Sequence, residues 1–145
     1  MFTNKPKWFR DAPVLLLVFI PVLQSLVHNG GIAIHPNFAP LSLVGAVVFV
    51  GITEELVFRG FLLNAFLKKM KMQYAVALDA VLFTLIHYPI WIYQGLEIPD
   101  FLIASAMVPL LSVFFAYSFI KTKNIIVPMI LHMIWNLFTI MLFGS

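Results

Sequence analysis

The sequence predicts an all-α fold, a polytopic transmembrane helical bundle of about five spans that forms a single membrane domain over residues 1–145. Three observations predict it. Apolar residues make up 62% of the chain and charged residues 10%, against roughly 45–50% and about 25% in soluble domains. The apolar residues are gathered into five long stretches. The basic residues that separate these stretches fall in alternate connections, as they do in helices threaded back and forth through a bilayer.

The first stretch, Ala12 to Val27, is the shortest and carries Pro13 and Pro21. Lys5, Lys7 and Arg10 precede it, which also suits a secretory signal. The segment from Ser25 to Gly31 has no good small-x-small cleavage site and further spans follow, so an uncleaved, kinked span is favoured. The other four stretches are Leu41 to Leu67, Gln73 to Tyr93, Phe101 to Ile120 and Asn124 to Phe143. Each approaches or exceeds the roughly 20 residues needed to cross a hydrocarbon core of about 30 Å. All must be helical, because an open strand or loop facing lipid leaves backbone groups unpaired at several kcal/mol each. Gly30, Gly31, Pro36 and Pro40 mark the first outer connection as irregular, and Pro128 suits the start of the last helix.

Lys68, Lys69 and Lys71 lie between the second and third stretches, and Lys121 and Lys123 between the fourth and fifth. The connections His28 to Pro40 and Ile92 to Asp100 contain neither Lys nor Arg. With five spans this arrangement puts the N-terminus in the cytoplasm and the C-terminus outside. Trp8, Tyr88, Trp91 and Tyr93 fit an interfacial aromatic belt. The net charge of +3 is split among small lysine clusters with no continuous basic stripe, so nucleic acid is not an expected partner. There are no cysteines, which removes disulfides, thiolate metal sites and a cysteine nucleophile.

Several ionisable side chains interrupt the apolar stretches. The second contains Glu54, Glu55 and Arg59, three such residues costing about 2.5–3.5 kcal/mol each at a helix centre, or about 8–10 kcal/mol together. Glu55 and Arg59 are four apart, with the acid first, and are expected to compensate one another. Glu54 projects about 100° away and gains no such partner. A second glutamate with no structural benefit favours a functional carboxylate over a purely structural ion pair. On the third stretch Asp79, Phe83 and His87 are spaced by four and form one stripe. In an antiparallel hairpin turning near Lys69, Arg59 and Asp79 meet at one depth and His87 lies about one turn from the glutamates. On the last stretch His132 and Asn136 share a face, either as interhelical glue or as donors aimed at a developing negative charge. His28 and His35, among Asn, Gly and Pro, read as solvated or interfacial.

The ordered set Glu54-Glu55-x-x-x-Arg59, Phe83-x-x-x-His87 and His132-x-x-x-Asn136, one motif per span, resembles the CPBP family of intramembrane endopeptidases. That family includes CAAX prenyl proteases and bacterial proteins linked to bacteriocin processing and immunity. The likeness covers about Leu41 to Phe143. It implies peptide-bond hydrolysis with Glu54 as general base, His87 positioning the water, His132 and Asn136 stabilising the oxyanion, and Glu55 and Arg59 holding the site together. No serine stands beside a histidine and an acid at a suitable depth, so direct attack by water fits better than a protein nucleophile.

Metal stays open at this point. Glu54, His87 and His132 are the candidate ligands if zinc is present, but the chain has no His-Glu-x-x-His helix and the same residues suffice for a metal-free glutamate mechanism, which is slightly favoured. The expected partners are the lipid bilayer and a membrane-anchored peptide or protein substrate, with a homo-oligomer remaining open. Two other functions compete: a non-catalytic bacteriocin immunity or peptide-binding protein, and a small transporter. The second is disfavoured by the lack of an inverted repeat.

Overall fold

A computed structural model describes residues 13–32, 34–36, 41 and 43–143. The basic cluster Lys5, Lys7 and Arg10, with Trp8 and Pro40, lies outside the described residues. Among the described residues every regular element is helical, in chain order α1 (Pro13–Asn29), a π-helical stretch π1 (Leu43–Phe49), α2 (Val50–Glu55), a second π-helical stretch π2 (Leu56–Leu63), α3 (Asn64–Leu67), α4 (Met72–Leu85), α5 (Tyr88–Tyr93), α6 (Ile98–Thr122) and α7 (Ile126–Phe143). Three stretches among them are long and apolar enough to cross a membrane: Met72–Tyr93, Ile98–Thr122 and Ile126–Phe143. The first expected span appears as α1, with 17 residues. The second is divided among π1, α2, π2 and α3. Exposed Ile98, Leu102, Ile103 and Leu110 on α6 suit contact with hydrocarbon. The chain is an integral membrane protein.

The chain forms two compact units. The first comprises the described residues up to Glu55 and those from Thr122 onward, and the second is Leu56–Lys121. In the first unit α1, π1 and α2 all pack against α7. Gly51 eases this approach locally: a Cβ there would come within 2.9 Å of Met133 Cγ and 3.5 Å of the Met133 backbone nitrogen, so a larger residue would require the Met133 side chain to shift. The Asn136 amide donates to the Ala46 carbonyl at 3.1 Å, tying α7 to π1. The His35 backbone N–H donates to the Met141 carbonyl at 2.8 Å and fixes the connection before π1 to the end of α7. Helix α7 opens as its sequence suggests, with Pro128 in the first turn, where a missing N–H costs nothing. The Asn124 side-chain oxygen accepts from the Ile126 N–H at 3.0 Å.

In the second unit α4 packs along π2 and α3. The short lysine-bearing connection between α3 and α4 is that of the expected hairpin. The third span is broken. The Ile86 N–H still bonds the Leu82 carbonyl, but the His87 N–H turns to Thr84 at 3.0 Å, a tighter three-residue closure. Pro89 follows at the start of α5, where it has no N–H to continue the ladder and its ring would crowd the carbonyl four residues back. The break therefore falls at His87.

Candidate functional site

In the first unit, Glu54 and Glu55 end α2 opposite His132 on α7. The His132 Nδ1 lies 2.9 Å from Glu55 Oε1, and its Nε2 lies 3.8 Å from Glu54 Oε2. A carboxylate only accepts, so Nδ1 carries a hydrogen and donates to Glu55. The Nε2 to Glu54 distance is too long for a hydrogen bond but within ion-pair range. His132 is thus flanked by both carboxylates, one on each ring nitrogen. Glu55 is completely buried, whereas the Glu54 side chain keeps 21% of its surface. The two adjacent acids differ accordingly: Glu55 is wholly enclosed, and Glu54 is partly exposed with its Oε2 buried beside His132. Asn136, one turn beyond His132, spends one amide N–H on Ala46 and has a second.

In the second unit Arg59 is fully buried, and so is Asp79. Its Nε lies 3.6 Å from Asp79 Oδ2, the contact expected from equal distances to a turn at Lys69. One terminal nitrogen donates to the Ser112 carbonyl at 2.8 Å and to the Ser112 hydroxyl at 2.7 Å. The guanidinium carbon sits 4.7 Å from the centroid of Phe83 and 5.5 Å from that of Phe115. Hydrogen bonds to a charged group contribute about 1.5–3 kcal/mol each, and a desolvated cation–π contact about 2 kcal/mol. Together they outweigh the roughly 3 kcal/mol cost of inserting an arginine. Arg59 belongs to π2, where Asn64 caps the carbonyls of Arg59 and Gly60 with its side-chain amide at 2.9 Å each. Such wide turns are frequent at functional sites. Sequence reasoning missed Ser112. A serine in an apolar helix carries little signal beyond its seven-residue spacing from Ser105, which puts the two on one face.

His87, the remaining candidate, is half-buried at the break in the third span. The Nδ1 atom lies 2.7 Å from the Phe83 carbonyl oxygen. A carbonyl can only accept, so Nδ1 carries the hydrogen and Nε2 is left with its lone pair as an acceptor. The ring also packs against Phe83 at a centroid distance of 4.9 Å and Trp91 at 5.6 Å.

The sequence-predicted residues therefore divide: Glu54, Glu55, His132 and Asn136 come together in the first unit, while Arg59, Asp79 and His87 belong to the second. Among the described residues no group of three or more His, Asp or Glu side chains is placed to hold a metal ion.

A family model described as type II CAAX prenyl endopeptidase, Rce1-like, matches residues 36–138, which is 103 of the 145 residues. No curated protein and no solved structure matches the chain.

Proposed function

Because the chain belongs to the type II CAAX prenyl endopeptidase Rce1-like family, a family of proteases, we propose that it is an intramembrane endopeptidase hydrolysing peptide bonds of membrane-anchored peptides or proteins. The observation that carries this reading is the pairing of a partly exposed Glu54 with a His132 held from behind by buried Glu55. Glu54 takes a proton from water as the oxygen attacks the scissile carbonyl. From its place in the motif we assign His87 the role of accepting from water, with Nε2 as the accepting atom because Nδ1 is directed to Phe83. The tetrahedral oxyanion accepts from Asn136 and from His132 Nε2–H. With Nδ1–H on Glu55, donation from Nε2 requires His132 as an imidazolium in that step, with the buried Glu55 carboxylate as its counter-charge while Glu54 holds the proton from water. Collapse of the intermediate breaks the C–N bond, and Glu54 returns its proton to the leaving nitrogen. Water and these side chains suffice for the whole cycle.

We assign the N-terminus to the inside and the C-terminus to the outside on the alternation of the lysine-bearing connections, and the plasma membrane of a bacterium on the resemblance to the CPBP family, which includes bacterial proteins. The decisive test is cleavage of a panel of membrane-anchored peptides, prenylated and unprenylated, by purified protein in bilayers. Cleavage is expected from wild type, with or without chelator, and is expected to be lost in Glu54→Gln and His87→Ala. Loss in chelator with recovery on adding zinc would overturn the metal-free route. Full biological function in Glu54→Gln would overturn proteolysis in favour of a binding or immunity role.

A further inference from the structure

We infer that Phe83 is a positioning residue for His87, fixing both the orientation and the tautomer of its imidazole, and that the Arg59 cluster holds Phe83 in place for that task. Three features of the second unit converge on it. First, the change of backbone pairing at the end of α4 sends the His87 N–H to Thr84, so the Phe83 carbonyl is not taken up by the residue four ahead in the usual way. The His87 Nδ1–H takes that acceptor instead, at 2.7 Å, and caps the helix end from the side chain. Second, the Phe83 ring packs on the His87 ring at 4.9 Å with an interplanar angle of 51°, restricting rotation of the imidazole about its own bonds. Third, the Phe83 ring is itself pinned. Phe58 meets it edge-on at 4.9 Å, and the Arg59 guanidinium, anchored by Asp79 and Ser112, lies 4.7 Å from its centroid.

One residue thus grips the histidine by backbone and side chain together. The consequence is chemical. Free histidine favours the tautomer with hydrogen on Nε2, and only the opposite tautomer presents an Nε2 lone pair to a water molecule. Phe83 selects the form that hydrolysis uses; the inference rests on the proposed hydrolytic function for its effect on rate, and on the geometry alone for its effect on the tautomer.

The experiment is 15N NMR of histidine-labelled full-length protein in phospholipid nanodiscs. Only four histidines are present, and His87 is assigned by the signal lost in His87→Ala. Wild type is expected to show His87 with hydrogen on Nδ1. Phe83→Leu and Phe83→Met keep an apolar side chain and good helix propensity but lack the ring. In both, the backbone acceptor remains but no ring holds the imidazole against it, and the signal is expected to shift from the pure Nδ1–H form to a mixture containing the Nε2–H form. On a peptide that wild type cleaves, kcat is expected to fall about tenfold with KM within about twofold, the pattern of an interaction that serves the transition state. Hydrogen on Nε2 in wild type, or an unchanged His87 signal in either folded variant, would overturn the inference. Failure of both variants to unfold cooperatively would also overturn it, by making Phe83 a packing residue. If wild type cleaves nothing but the tautomer shifts as expected, the endopeptidase reading fails and the positioning role of Phe83 stands.

Discussion

His132 Nδ1 donates to Glu55 Oε1 across 2.9 Å, although the two residues are 77 positions apart in the chain. The acid stands behind the imidazole, fixing which nitrogen faces Glu54. Replacing Glu55 by Gln keeps the shape and an accepting oxygen but exchanges a charged acceptor for the His132 Nδ1–H for a weaker neutral one. We expect kcat to fall about tenfold to hundredfold, less than the roughly 10²–10³ for deleting an oxyanion donor outright. Unchanged kcat in a folded Glu55→Gln protein would mean His132 needs no anionic support.

Breaking the Arg59–Asp79 pair should act on stability before it acts on chemistry. Asp79→Asn leaves a buried guanidinium without its counter-charge, at about 3–5 kcal/mol. Arg59→Lys replaces a fork that reaches Asp79 and both Ser112 oxygens with a single ammonium, and is expected to be nearly as harmful. Unfolding titrations in detergent check both. Wild-type stability in Asp79→Asn would show that other contacts neutralise Arg59.

Gly51 predicts a steric result. Alanine requires Met133 to shift its side chain, whereas valine adds two methyl groups toward α7 at a point already within contact distance of its backbone. Gly51→Val is expected to cost about 1–3 kcal/mol through overpacking and to lower kcat by disturbing the approach of Glu54 and Glu55 to His132. Paired trimming of Met133 to Ala should recover part of the loss. The double mutant fails to do so if the contact is not the cause.

Membrane orientation is open to a clean experiment because the native chain has no cysteine. Lys69 and Glu97 are both exposed and flank the third span. In intact cells a membrane-impermeant maleimide should label Glu97→Cys, and should reach Lys69→Cys only after lysis. The reverse pattern would invert the assigned topology.

The parts of the fold legible in the sequence were those that depend on counting. Five apolar stretches became helical elements, and Arg59 meets Asp79 because each is ten residues from Lys69 in a hairpin. Four-residue spacing correctly put Asp79 and Phe83 on the face that meets Arg59, and brought His87 under Phe83. The π-helical stretches were not legible. Periodicity arguments assume 3.6 residues per turn, and neither an Asn64 side chain reaching five residues back nor a wide turn leaves a mark in composition. For the same reason the expectation that Glu54 gains no partner followed from the i,i+4 rule within its own helix and said nothing of His132, a contact made across 78 positions of chain. Ser112 shows a different limit. A hydroxyl flanked by leucine and valine looks like filler until the charge it serves has been located.

The π-helical stretch from Leu56 to Leu63 has a consequence for anyone mapping this helix by substitution. Each wide turn admits more residues than an α-turn, so side chains after it are rotated out of step with those before it. A scan of single tryptophan replacements along Val50–Leu67 should therefore give two separate rhythms of tolerance, offset from each other, instead of one continuous wave. Deleting one residue within the stretch would bring the rhythms back into phase, and in doing so would swing Arg59 away from the aspartate, serine and phenylalanine that receive it.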